Sequence, residues 1–182
     1  MNALANEDVG KYFKDNFISS FQKVGTFRIV NNQKQGGNVA SYFTLPDGSV
    51  LHVVAGPVDA ATLLREARWV VETRKLAIAE ARGDGAKYKA FFSKAHADRL
   101  LHEHGVDAHA QRPTRRTALN TWSRGEFVKL GMPRGGDRQA RVHLLLANYP
   151  LAKTDDIYRI VFEQILGQKV STLPVIEVGK GA

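Results

Sequence analysis

After Asn6, the apolar residues Val9, Phe13, Phe17 and Phe21 recur at every fourth position, with Ile18 beside the row. That interval keeps side chains on one stripe of a helix. It predicts a helix over about residues 6–21 that buries an aromatic face. Asn6 suits the N-cap, and Glu7 and Asp8 suit the positive end of the helix dipole. The period then changes. "TFRIV", Thr26 to Val30, is β-branched and aromatic and reads as a strand. "NNQKQGG", Asn31 to Gly37, is polar, ends in two glycines and reads as a loop. Val39 to Thr44 is a second strand and Ser49 to Ala55 a third. Between them Pro46-Asp47-Gly48 supplies a preset φ and a residue tolerant of positive φ, so residues 39–55 are expected to form a hairpin.

Gly56-Pro57 ends the hairpin. Asp59 can cap the next helix, along which Leu63, Leu64, Ala67, Val70, Val71 and Leu76 keep a helical period to about Ala81. Gly83 and Gly85 interrupt it. Lys87 to Glu103 reads as another helix, with Phe91, Ala95 and Leu100 or Leu101 on its apolar side and Gly105 at its end. Residues 106–137 are rich in Arg, Gly and Pro and hold no sustained period. They read as loop with a short helical stretch near Thr117 to Trp122. Arg138 to Asn148 is helix-like and is stopped by Tyr149-Pro150. A last helix starts at Thr154 and runs through "DDIYRIVFEQIL", with Gly167 where a C′ glycine belongs. Ser171 to Ala182 reads as an extended tail. No internal repeat is present.

The fold class expected from this order is α+β. A small, mainly antiparallel three-stranded sheet packs on helices and is followed by a C-terminal helical extension. The natural division is residues 1–82 and 83–182.

Of 182 residues, 43% are hydrophobic and 24% charged, which supports a packed core and argues against wholesale disorder. No apolar run approaches the ~20 residues that span a bilayer. The first residues lack a basic start followed by an apolar stretch, so they do not read as a secretory leader, and a cytoplasmic location is favoured. The chain has no cysteine, which excludes disulfides, thiol nucleophiles, thiolate metal sites and dithiol redox chemistry within it. The net charge of +8 is unevenly spread. Residues 1–62 hold five basic and five acidic side chains, and residues 146–182 hold four of each. The excess lies in residues 63–145, with seventeen basic and nine acidic side chains. Such a segment attracts nucleic acid, anionic lipid or an acidic partner.

The stretches "TLPDGSVLHVVAGPVDAATLLREARWV" and "NEDVGKYFKDNFISSFQKVG" carry a resemblance. The order helix, strand, loop, strand, turn, strand, helix over Asn6 to Lys75 resembles the second part of a thioredoxin-like domain and covers about 70 residues. The first stretch is similar to the family's "F-x-x-P-D-G-x-V" strand, return strand, glycine and final helix. The second is similar to the segment that follows the active-site cysteines. The family's Cys-x-x-Cys is absent, so no residue inherits a redox role. The proline that usually precedes the hairpin strand is absent too, the corresponding positions being Val39 and Ala40. The strand expected before the first helix is missing too, since only Met1 to Ala5 stand ahead of Asn6 here. Either the three strands close as a meander, or the chain is the C-terminal part of a thiol-disulfide oxidoreductase whose cysteines lie upstream. The resemblance implies a non-catalytic interaction or scaffold module that binds protein partners. An open sheet edge would also allow a homodimer by strand addition.

Four histidines, His96, His102, His104 and His109, lie close in sequence. Their spacings of six, two and five do not share a helical face as metal ligands would, and they read as a solvated helix end. Arg82-Gly83-Asp84 matches a cell-adhesion tripeptide, but it stands where a helix stops. In the most charged stretch, Arg112, Arg115, Arg116, Arg124, Lys129, Arg134, Arg138 and Arg141 are interleaved with Trp122 and Phe127. Forked Arg donors favour phosphates and aromatic rings stack on bases, so this segment is the candidate surface for nucleic acid or an acidic partner. Trp69, on the long helix beside Val70 and Val71, reads as core covered from two sides. No catalytic set, metal site or cofactor motif emerges, and no glycine-rich phosphate loop is present.

Overall fold

A computed structural model describes residues 3–22, 27–30, 33–36, 38–108, 119, 122–132 and 137–171. Among these the fold is α+β and mostly helical. After a 3₁₀ turn at Ala3–Ala5 come α1 (Glu7–Asn16), β1 (Phe27–Val30), β2 (Gln33–Gly36), β3 (Ala40–Thr44), β4 (Val50–Ala55), α2 (Ala60–Ala81) and α3 (Gly85–His104). Then follow α4 (Arg124–Lys129), α5 (Arg138–Asn148) and α6 (Thr154–Arg159), which runs on as one π-helical stretch, Ile160–Ile165. No described helix is long and apolar enough to cross a membrane.

The helix starts expected from capping residues are in place. Asn6 Oδ1 accepts from Val9 N at 3.2 Å and Asp59 Oδ1 from Thr62 N at 2.7 Å. Asp84 caps α3, so Arg82-Gly83-Asp84 is the connection between two helices. Gly105 closes α3 at φ 66°, a left-handed conformation that suits glycine.

The expectation of a single three-stranded sheet is corrected. β1 pairs antiparallel with β2, whose residues the sequence marked as loop, and β3 pairs antiparallel with β4 in a second sheet. Val30 faces Gln33, so β1 finds its partner two residues away. Such a closure costs far less chain entropy than reaching β3. The first helix is also shorter than expected. It ends at Asn16, and Phe17 is already extended. Ile18, Ser19 and Ser20 are weaker helix formers, and Ile18 and Phe21 are exposed. Val9 is buried, and Phe13 and Phe17 stack on Phe43 of β3 with centroids 6.0 and 5.3 Å apart, so the aromatic side of α1 rests on the β3–β4 hairpin.

β4 is the centre of the molecule, with all six residues buried. Its register carries a bulge. Phe43 pairs with His52 and Thr44 with Val50, which leaves Leu51 without a cross-strand partner. The bulge re-aims the side chains that follow. Leu51 and Val54 join a cluster with Val9, Phe43, Leu63, Ala67, Val70 and Phe92. Val53 and Ala55 join a larger cluster with Leu100, Phe127, Val142, Leu144, Leu145, Leu146 and Ile157. The hairpin corner is the turn the sequence indicated, with Gly48 at φ 80°. Lys153, just before α6, donates to Asp47 Oδ2 at 2.7 Å and to Ser49 Oγ at 2.9 Å, tying the corner to the C-terminal helices.

Two helical faces are turned relative to expectation. The buried row of α2 is Leu63, Glu66, Ala67, Val70, Thr73, Ala77 and Ala81, and Leu76 is exposed. The buried row of α3 is Phe92, His96, Ala97, Arg99 and Leu100, whereas Leu101 is exposed and Phe91 only half-buried. In both helices polar residues occupy core positions, and this polar intrusion builds the site.

Candidate metal centre

His52 on β4, His96 on α3 and His143 on α5 meet in the interior, each at most 1% exposed. Their ring centroids form a triangle with sides of 5.6, 5.3 and 5.1 Å. One ring nitrogen from each lies within 4.8 Å of one from each of the others. Trp69 of α2 closes one side, its ring 5.0, 5.1 and 5.9 Å from the three imidazoles.

The partners assign the tautomers. His96 Nε2 lies 2.9 Å from the carbonyl oxygen of Leu51, the bulged residue. A carbonyl only accepts, so His96 Nε2 carries the proton. Burial, reinforced by His52, pushes the His96 pKa down to about 3, so the ring is neutral and its Nδ1 is bare. His143 Nδ1, 2.9 Å away, therefore donates to it. Burial, with the neighbouring imidazoles, likewise holds His143 well below its ordinary value, so His143 is neutral and its Nε2 is bare. That Nε2 is buried without a hydrogen-bond partner.

His52 Nε2 lies 3.0 Å from Glu66 Oε2. Burial raises the Glu66 carboxyl, but hydrogen bonds from His52 and Arg99 outweigh it and hold the pKa at about 2. The ionised carboxylate can only accept, so His52 Nε2 keeps its proton and donates to it. Burial keeps His52 itself below its ordinary value, and its Nδ1 is bare, buried and unpartnered. His52 Nδ1 and His143 Nε2 are therefore unpartnered in the interior, and His96 Nδ1 is held only by the hydrogen bond from His143.

The surroundings hold these rings in place. Arg99 donates to both oxygens of Glu66, Nη1 at 2.6 Å and Nη2 at 2.7 Å, and its Nε donates to Glu103 at 2.6 Å. Its guanidinium sits 4.8 Å above the Trp69 ring. Gln139, one turn before His143, donates to the carbonyl of Val53 at 2.8 Å and so ties α5 to β4. A ring whose outer N–H is anchored to a carboxylate or a carbonyl, with the other nitrogen bare, is how metal-binding histidines are arranged. The donor set is imidazole only, which suits zinc, copper, nickel or iron and disfavours calcium and magnesium. Zinc–nitrogen bonds of about 2.0–2.1 Å place tetrahedral ligands ~3.3 Å apart. The rings are thus within small rotations of ligating distance, once the His96–His143 hydrogen bond opens.

The histidines grouped by sequence do not group in space. His96 is buried in the centre rather than solvated, His102 is exposed, His104 is half-buried 6.2 Å from the His143 ring, and His109 lies outside the described residues. His52 and His143 escaped the sequence reading. A signal was available: each is a lone polar residue inside an apolar run, "VLHVVA" and "VHLLLA", and Glu66 interrupts the apolar row of α2.

Of the basic candidates, Arg112, Arg115, Arg116 and Arg134 lie outside the described residues. Arg124 lies beside Gly167 and Arg138 beside Gly56. Arg141 packs over the Phe127 ring at 5.8 Å, and Lys129 pairs with Glu126 at 2.7 Å. No protein-family profile, curated protein or solved structure matches the chain.

Proposed function

We propose that this protein is a non-catalytic metal-binding module that holds one divalent first-row transition ion, of the zinc class, on His52, His96 and His143. The observation that carries this reading is the convergence of three buried, neutral imidazoles, one ring nitrogen of each within 4.8 Å of one from the others, with His52 and His96 anchored through Nε2 to Glu66 and the Leu51 carbonyl. Three protein nitrogens leave one coordination position for a solvent-derived ligand. Burial of all three ligands denies a substrate any approach, so the ion's work is to fasten β4, α3 and α5 together. The test is metal content by mass spectrometry of protein made without a histidine tag, followed by calorimetric titration of the chelator-stripped chain with zinc chloride. One ion per chain is expected, with loss of binding in His96→Ala and His143→Ala. A stripped chain that takes up no zinc, or variants that bind as well as the parent, would overturn the proposal.

A second reading, a thioredoxin-like interaction module lacking cysteines, is supported by the β3–β4 hairpin running into α2 and by Phe13 and Phe17 resting on Phe43. β3 has no second strand partner among the described residues, which leaves an edge for strand addition. Sedimentation equilibrium tests it. A dimer that dissociates when Tyr42 is replaced by Pro supports edge pairing, and a monomer at all concentrations removes it.

A further inference from the structure

Resting on the metal-binding reading, we infer that Glu66 and Arg99 act together as the positioning unit of the centre. Glu66 selects the nitrogen that His52 offers, and Arg99 keeps Glu66 out of the ligand set.

Glu66 is 2% exposed and one hydrogen bond from a ligand, so on distance alone it would compete as a fourth donor. Ionised carboxylates are good ligands for zinc. Both of its oxygens, however, are taken by the forked donors of Arg99 at 2.6 and 2.7 Å. A fork that matches a carboxylate in this way is specific to arginine. Exposed Arg65 adds longer contacts to Glu66 Oε1, at 3.3 and 3.4 Å, and toward the rings Glu66 meets His52 Nε2–H, which commits the opposite nitrogen to the interior. The pair also balances charge. A lone guanidinium beside a dication would repel it, and Glu66 neutralises that guanidinium while Glu103, at 2.6 Å from Arg99 Nε, adds a further negative charge from the rim. Outer partners of this kind typically set metal affinity over a range of about 10- to 100-fold.

The two residues therefore have opposite consequences when changed. Glu66→Gln leaves Arg99 balanced only by Glu103 at the rim and weakens the anchor on His52. Arg99→Met frees a carboxylate to enter the coordination sphere. The experiment is titration of the stripped full chain with cobalt(II) chloride, followed by visible absorption, on the parent, Glu66→Gln, Arg99→Met and Val70→Ala. Val70 is equally buried on the same helix and serves as a control for lost stability alone. Expected are cobalt binding about 10- to 100-fold weaker in Glu66→Gln, a changed cobalt spectrum with undiminished affinity in Arg99→Met, and parental affinity and spectrum in Val70→Ala. If the parent binds cobalt and Glu66→Gln binds it within twofold, or if Arg99→Met keeps the parental spectrum, the inference falls while the metal-binding reading stands. If the parent binds no cobalt, the metal-binding reading falls with it. Should Glu66→Gln not fold, the Arg99→Met spectrum decides the matter.

Discussion

The buried Glu66–Arg99 pair yields a prediction about stability that needs no metal. Glu66→Met removes the carboxylate and leaves Arg99, itself 8% exposed, with only Glu103 and the Trp69 ring. Breaking one side of a buried ion pair typically costs about 3–5 kcal/mol, because the remaining charge is dry and uncompensated. Glu103 is half-exposed and relieves part of that cost, whereas His52 Nε2–H loses its acceptor and adds to it, so about 3 kcal/mol is the expected loss. With a urea m-value of roughly 2 kcal/mol/M, the midpoint should fall by about 1.5 M. Replacing both partners, Glu66→Met with Arg99→Met, removes the stranded charge. The double variant should then recover at least about 2 kcal/mol relative to Glu66→Met, because a buried pair is rarely worth more than a well-packed apolar replacement. The assay is urea unfolding at pH 7.5 with a chelator present, followed by far-UV circular dichroism and tryptophan fluorescence. A single variant that costs under about 1 kcal/mol, or a double variant as unstable as the sum of the two singles, would refute the reasoning.

Stability should also fall as the solution is acidified. His96 and His143 are held neutral in the folded chain, while in the unfolded chain each takes up a proton below about pH 6.5. The unfolded state then binds more protons, and stability drops by about 1.4 kcal/mol per pH unit for each histidine until the lower folded pKa is reached. Between pH 6.5 and 5 the two give a loss of about 3 kcal/mol, and Glu66 adds none until the pH falls below its unfolded value of 4.5. Urea midpoints in chelator at pH 7.5 and 5.0 check this, and His143→Leu should flatten the profile. Zinc at 100 times its Kd should raise stability by about 2.7 kcal/mol at neutral pH, an increment read from the thermal midpoint and absent in His143→Ala. Gly105→Ala should cost about 1 kcal/mol. An added Cβ meets nothing within 4 Å there, so the loss, measured by urea unfolding, comes from φ 66° alone.

Much of the fold was legible in the chain because its signals are local. Asn6 and Asp59 start helices through side-chain oxygens that reach amides three residues away. Gly105 and Gly167 sit at positive φ where helices end. Pro46-Asp47-Gly48 turns the hairpin, and the bounds of α5 are those the period indicated. The errors are those of tertiary choice. Which stripe of α2 and α3 faces inward depends on neighbours, so Leu76, which keeps the helical period, is exposed, Leu100 rather than Leu101 is buried, and Glu66 and His96 hold core positions. β1 paired with its nearest neighbour in sequence rather than with the larger hairpin.

The sequence by itself determined the longer helices α2, α3 and α5, the caps at Asn6 and Asp59, the hairpin corner and the lack of cysteine chemistry, because each depends on residues close together in the chain. The tertiary structure alone decided the centre. His96 touches Leu51 and His143 across 45 and 47 residues, and one bulge in β4 turns the Leu51 carbonyl toward it. A polar residue in an apolar run shows that something must satisfy it. Only the packing of β4 between α2, α3 and α5 says what does, since burial makes unmet hydrogen-bonding groups costly and forces them to find one another.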